Sequence, residues 1–221
     1  DDKESKADVR VTEVDANEKV LNIVEKIQEQ EQYCFEFPEK FYSEEVDVII
    51  PVYNGYKFLE KLLSSVTKTK MKYRLILIND KSPDERVLEY LEKYAEGKSN
   101  VLLLNNEENK GFVQTVNRGF GVGTNHVALV NTDVELPDMW LERLMLPIFD
   151  DEKVASTTPY TTCGTICSFP DFGKDNKLFL DLNVDQIDAE FIKQRPVYTE
   201  MPTGVGFCMG VNRNVLNEIG N

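Results

Sequence analysis

Polar residues follow four of the chain's apolar runs directly, at Tyr53-Asn54, Asn79-Asp80, Asn105-Asn106 and Asn131-Thr132-Asp133. An acid in such a place can accept the N–H of a nucleotide base, and an acid beside a diphosphate can hold Mg2+ or Mn2+. Turns and helix caps use the same residue types, so one such end taken alone says little. Acids after both the second and the fourth run, Asp80 and Asp133, form the more informative pair. Other chemistry is scarce. A single histidine, His126, leaves little room for a His-based metal site or a Ser–His–Asp triad. Cys34, Cys163, Cys167 and Cys208 lack zinc spacing, and scattered thiols suit a reducing compartment. No Gly-x-Gly-x-x-Gly follows the first run and no P-loop lysine is present, so dinucleotide and P-loop readings lack their defining parts.

The elements that would position these residues alternate between strand and helix from Val46 onward. Strands are expected at Val46–Val52, Tyr73–Ile78, Val101–Leu104, His126–Val130 and Gly204–Val211. Helices are expected through Leu59–Val66, after Ser82-Pro83-Asp84-Glu85 with Ser82 as cap, over Gly111–Gly119, after Pro137-Asp138 and before Gly220. This rhythm implies a doubly wound, mostly parallel α/β sheet with flanking helices. In such sheets ligands bind at the carboxyl ends of the strands. Residues 161–200 lose the rhythm and read as a long irregular excursion.

Residues 1–45 read as an acidic N-terminal extension, with 14 acids against 6 bases. Asp15-Ala-Asn-Glu18 has the form of a capping box. It precedes Val20, Leu21, Ile23, Val24 and Ile27 at helical spacing, and the aromatics from Tyr33 to Tyr42 are expected to plug against the fold. Residues 46–221 form the main domain. The net charge of −14 argues against nucleic acid and against docking on anionic lipid. No apolar run reaches the length of a membrane span. The start at Asp1 without Met suggests part of a longer chain.

Four segments in order resemble the family-two inverting glycosyltransferases of GT-A fold. They are Val-Asp-Val-Ile-Ile-Pro-Val-Tyr-Asn (46–54), Leu-Ile-Leu-Ile-Asn-Asp-Lys-Ser-Pro-Asp (75–84), Asn-Lys-Gly-Phe with Asn-Arg-Gly (109–119), and Val-Asn-Thr-Asp-Val-Glu (130–135). Trp140–Leu144 and Gly206–Met209 resemble the branch that builds surface polysaccharides, rhamnosyl-type enzymes included. The resemblance implies transfer from a nucleoside-diphosphate sugar, UDP-linked first with dTDP- or GDP- as alternatives. The acceptor it implies is a glycan or a lipid-linked hydroxyl, and the cofactor Mn2+ or Mg2+.

The resemblance also implies residue roles. Pro51, Val52, Tyr53 and Asn54 line the base pocket, with plain core as the alternative for Tyr53, and Asp80 meets the base N–H. Asn109, Lys110 and Gly111 lie near the ribose and phosphates, while Arg118 braces the fold. Asn131-Thr132-Asp133 replaces the family's Asp-x-Asp, with Asp133 as metal ligand and Asn131 departing from the pattern. Glu135 is either metal support or an exposed strand-end acid. Gly204, Gly206 and Cys208 form the acceptor-side wall. The catalytic base is expected beyond Asn221, with Asp171, Asp175, Asp181, Asp185 and Asp188 as weaker substitutes. A cytoplasmic location is expected, peripheral at the inner membrane face through the substrate or the rest of the chain.

Three other readings compete. One is a nucleotide-sugar-binding module of the same fold without turnover, favoured by Asn131 and by the absent base. A nucleotidyltransferase should carry a Gly-rich basic loop after the first strand, for which Gly55-Tyr56-Lys57 is too thin. A phospho-acceptor signalling domain needs an acid pair at the first strand and a late lysine, and neither is present.

Overall fold

The computed structural model describes residues 36–164, 166–176, 182–194 and 197–220. The expected helix through Val20–Ile27, and Tyr33 and Phe35, lie outside the described residues. The main unit runs over Glu36–Asp188 and Tyr198–Asn221. A second unit includes Ala189–Val197, and its described part holds a surface Lys193–Glu190 ion pair.

The strands are β1 (Glu45–Val52), β2 (Lys72–Asn79), β3 (Val101–Asn105), β4 (Val127–Val130), β5 (Ser156–Thr157) and β6 (Cys208–Val211). They form one sheet in the order β3-β2-β1-β4-β6-β5. The first four pair in parallel, and β6 runs antiparallel to both β4 and β5. The helices are α1 (Tyr56–Val66), α2 (Glu85–Ala95), α3 (Gly111–Val122), α4 (Trp140–Asp150), α5 (Val184–Phe191) and α6 (Arg213–Ile219). A short 3-10 helix, Glu39–Ser43, precedes β1. The expected mixed α/β architecture is the one observed, with one revision: the last strand turns back, and only its second half, Cys208–Val211, pairs.

Alternation along β1 explains the layers. Val46, Val48, Ile50 and Val52 join Leu59, Leu62 and Leu63 of α1, Val87 and Leu91 of α2, and Trp140, Leu141 and Met145 of α4. Ile49 faces the other way, into a smaller cluster with Val116 of α3 and Leu216 of α6. Gly119 lets α3 lie flat there, because a Cβ would stand 2.7 Å from Ile49 Cγ2 and 3.0 Å from Ile78 Cδ1. The aromatic plug is partly described: buried Phe41 stacks on Phe37 at 5.4 Å and meets Phe149 edge-on at 4.9 Å.

Candidate functional site

Side-chain and backbone hydrogen bonds stitch the carboxyl ends of β1, β2 and β3 together. Asn79 Nδ2 donates to Asn105 Oδ1 at 3.3 Å, and its Oδ1 accepts from Ser82 N at 3.0 Å. Ser82 Oγ accepts from Asn54 N at 2.9 Å. That long-range bond corrects the expected cap: α2 starts at Glu85, and Asp84 caps it by accepting from Arg86 N. Asn54 and Lys81, at the ends of β1 and β2, both hold left-handed backbone, at φ 58° and 57°. Non-glycine residues seldom adopt it outside tight turns and constrained sites.

Asp80 is buried at the hub of a second network. Its Oδ1 accepts from Asn106 Nδ2 at 2.6 Å and from Lys110 N at 2.8 Å, and its Oδ2 from Gly111 N at 2.8 Å. Burial by itself would raise the Asp80 pKa. Hydrogen bonds from the Lys110 amide, Asn106, Thr115 and the Gly111 amide outweigh it and hold the carboxyl below its ordinary value. Asp80 therefore stays ionised and fixes the N-terminal amides of α3 from across the sheet. Asn109 Oδ1 also accepts from Gly111 N, at 2.9 Å. Arg118 braces the network as expected, donating to Asn105 O and Asn106 Oδ1.

Other strand-end residues divide between core and surface. Val52 packs fully into the core and its carbonyl is taken by Asp80 N at 2.8 Å, so its side chain lines no pocket, contrary to expectation. Pro51 is half-buried, and Tyr53 stands 49% exposed beside it. Lys57, Lys81 and Lys110 are exposed near the ends of β1, β2 and β3, and no ion pair engages them among the described residues. These three ammonium groups stand among strand-end acids, Glu107, Glu108 and Asp133, in a chain that is acidic as a whole.

At the end of β4, Asn131 N donates to Phe207 O at 2.8 Å, which ties this strand end to the segment before β6. Thr132 lies against Gly55, whose Cβ would meet its Oγ1 at 3.5 Å. Asp133 is exposed and has no hydrogen bond or ion pair with a described residue. Glu135 pairs with Lys61 at 2.6 Å, which leaves Asp133 as the acid free to take a ligand. Among the described residues no three His, Cys, Asp or Glu side chains cluster as a ready-made metal cage. One carboxylate with neighbouring hydroxyl and amide oxygens still fits a hard cation that arrives on a diphosphate, the usual way Mg2+ is bound.

The 204–208 stretch is only partly wall-like. Gly204 is enclosed by Met209, Thr158 and Ser156, and a Cβ on Gly206 would stand 3.9 Å from Phe112 Cζ. Cys208 is buried in the core, where burial pushes its thiol up to about 12, so its side chain borders no cleft. Three of the excursion acids are paired, Asp171 with Lys174, Asp185 with Lys68 at 2.8 Å and Asp188 with Arg143 at 2.8 Å, whereas Asp175 is exposed and has no hydrogen bond or ion pair with a described residue. Asp181 lies outside the described residues.

The description of glycosyl transferase family 2 matches residues 47–220, and the chain belongs to that family. A dolichol-phosphate mannosyltransferase of Pyrococcus furiosus is 28% identical over 135 residues, 58% of this chain and 37% of that protein. An uncharacterized glycosyltransferase of Haemophilus influenzae is 25% identical over 117 residues, 52% of this chain and 36% of its own length. The chain thus spans well under half the length of either relative. Two solved structures share the fold. Mannosyltransferase PcManGT from Pyrobaculum calidifontis, in complex with GDP-Man and Mn2+, superimposes with a TM-score of 0.58 at 16% identity, over 96% of this chain and 57% of that one. TarS of S. aureus does so with a TM-score of 0.52 at 18% identity, over 79% and 49%. The architecture is that of the GT-A glycosyltransferases, and the family's chemistry is sugar transfer from a nucleotide sugar. No helix among the described residues is long and apolar enough to cross a membrane.

Ser82 was expected only as a helix cap and not as a partner of the first strand's end. A Ser–Pro–Asp start reads as a cap whichever residue caps, and only the fold brings Asn54 N to Ser82. Asn105-Asn106 was named as a polar strand end, and the structure adds that Asn106 is the one of the two that turns inward, onto Asp80.

Proposed function

We propose that this chain binds a nucleoside-diphosphate sugar across the carboxyl ends of β1–β4 and passes the sugar to an acceptor hydroxyl by single displacement with inversion. The observation that carries the reading is the contrast between its two strand-end acids in a member of this family. Asp80 is buried, ionised and tied to the start of α3, whereas Asp133 is exposed and has no hydrogen bond or ion pair with a described residue. Asp80 accepts the base N–H while holding the 106–111 loop, and Pro51, Tyr53 and Asn54 flank the base. Asn109, Lys110 and the pinned amide of Gly111 meet the ribose and phosphates. Asn131 and Thr132 offer oxygens to the donor, and Asp133 holds Mn2+ or Mg2+. When bound, the cation neutralises charge that builds on the departing diphosphate.

UDP is the first nucleotide of choice, with dTDP and GDP as alternatives. The GDP-Man-bound neighbour and the mannosyltransferase relative bring mannosyl transfer forward beside hexosyl and rhamnosyl transfer. A glycan or lipid-linked acceptor, and a place in polysaccharide or glycoconjugate synthesis at the cytoplasmic membrane face, complete the reading. Thermal shift with UDP, dTDP and GDP, each with and without Mn2+, tests it, because a ligand that binds only the folded form raises its stability. Metal-dependent stabilisation by at least one of them is expected. No stabilisation by any nucleotide at millimolar concentration would sink the reading.

A further inference from the structure

We propose that the outer edge of β3 docks an extended peptide of a separate protein, which alternates basic and apolar side chains and adds to the sheet as a further strand. The inference does not depend on the nucleotide reading, because it uses the side of the sheet rather than its strand ends.

β3 is the last strand on its side of the sheet, and two hydrogen bonds fix which backbone groups it turns outward. Leu75 N donates to Asn100 O at 2.8 Å, and Asn106 N donates to Asn79 O at 2.9 Å. Bonds of a parallel ladder recur at every second residue, so Leu102 and Leu104 point both N–H and C=O at β2. Val101, Leu103 and Asn105 point theirs away. Val101 N is taken by Lys98 O, and Asn105 O by Arg118. Val101 O, Leu103 N, Leu103 O and Asn105 N remain, and none has a partner among the described residues. Donors and acceptors alternating along an open edge are what an added strand pairs with.

Nothing on the strand itself defends this edge. Val101–Asn105 holds four half-buried apolar residues and no charge, whereas edges are commonly kept short or given lysine. The opposite edge, β5, is two polar residues long. The two faces of the sheet set what an added strand must carry. Leu103 packs toward α2 and lines an open groove of about 630 Å3 with Glu89, Glu92, Lys93, Ala95 and Glu96. These glutamates are exposed, and no ion pair engages them among the described residues. Leu102 and Leu104 pack on the other face, with the cluster that holds Val116. A residue opposite Leu103 therefore meets the glutamates and gains from Lys or Arg. Its neighbours fall beside Leu102 and Leu104 and gain from apolar side chains. A second copy pairing antiparallel would bring its own α2 glutamates against these, so charge opposes self-pairing.

Fluorescence anisotropy with a labelled short peptide alternating valine and lysine tests the edge. The peptide should bind the whole chain, and a valine–glutamate counterpart should not. Two copies of equal charge are N-methylated, one at its lysines to block antiparallel pairing and one at its valines to block parallel pairing. At least one of them should bind roughly tenfold more weakly than the parent. Glu89→Lys with Glu92→Lys should weaken the lysine peptide and admit the glutamate peptide. Glu152→Lys with Glu218→Lys makes the same change in net charge at exposed positions elsewhere and should leave both peptides as in wild type. Unchanged binding of both methylated copies would reduce the contact to charge and overturn the proposal. Equal loss from the two reversed pairs, or no binding of the parent peptide, would overturn it as well. A dimer of the chain alone in sedimentation, dissolved by Leu103→Pro, would assign the edge to a second copy and also overturn it.

Discussion

The two ends of the sheet each bury a carboxylate and treat it in opposite ways. At the amino end Asp47 is fully buried and paired with Arg74 Nε at 2.8 Å, and it also accepts from the Thr124 and Asn125 amides at 2.7 and 2.9 Å. Arg213 closes the cluster by donating to Asn125 O and Phe120 O. At the carboxyl end Asp80 accepts only from uncharged donors, and Arg118 reaches it only through Asn106. A carboxylate matched by arginine completes an internal contact and stops there. One held by backbone amides keeps its charge uncancelled beside mobile-ligand territory, at loops that carry exposed lysines. Of these two buried carboxylates, the one without an arginine partner is the one beside the strand-end loops.

Removing each carboxylate separates the two cases. Asp47→Ala leaves Arg74 and Arg213 without a counter-charge and should cost about 3–5 kcal/mol in urea unfolding, with nucleotide affinity of the folded fraction unchanged. A matching loss of affinity would break the distinction between the ends. Asp80→Asn should cost less stability, about 1–3 kcal/mol, and should also weaken nucleotide binding severalfold. If affinity survives while stability falls, Asp80 serves only as a helix anchor. Gly119→Ala probes the layer between the ends. Forcing a methyl onto Ile49 should cost about 1–3 kcal/mol, read by the same unfolding curve, and space for that methyl would show as no change.

The smallest effect is a pH dependence at the amino end. His126 Nδ1 accepts from Arg213 N at 3.1 Å, which requires the neutral ring. Burial holds its pKa below the ordinary 6.5, Glu44 opposing and Arg213 reinforcing the shift. A depressed pKa means that the stability is fully present above 6.5 and is lost as pH falls through the lower, folded value. Unfolding midpoints should therefore drop between pH 7 and pH 5 in the wild type, and by less in His126→Gln. Parallel slopes in the two proteins would remove His126 from the account.

The parallel half of the sheet was legible in the sequence because β1, β2 and β4 are near-continuous apolar runs, as strands covered on both faces must be. β5 was not, since Ser156-Thr157 is two polar residues whose strand character comes wholly from pairing with Gly210 and Val211. Asp47 was passed over although it interrupts one of those runs. A charge in a strand covered on both faces needs a partner, and Arg74 and Arg213, distant in sequence, supply the neutralising environment. Asp80 and Asp133 were found by position, but sequence could not tell that one is buried and the other free. That depends on where the 106–111 loop and Lys61 fall in space.

In the proposed function the exposed acid at the end of β4, Asp133, holds the cation that binds the donor's diphosphate. Titrating UDP, dTDP and GDP into wild type and Asp133→Asn, with and without Mn2+, tests it most directly, with melting temperature measured alongside. Asp133 has no hydrogen bond or ion pair with a described residue, so the variant should melt with the wild type. It should also lose the Mn2+-dependent part of nucleotide affinity, about 1–3 kcal/mol on the scale of a lost charged contact. Nucleotide binding with unchanged Mn2+ dependence in Asp133→Asn would contradict the account.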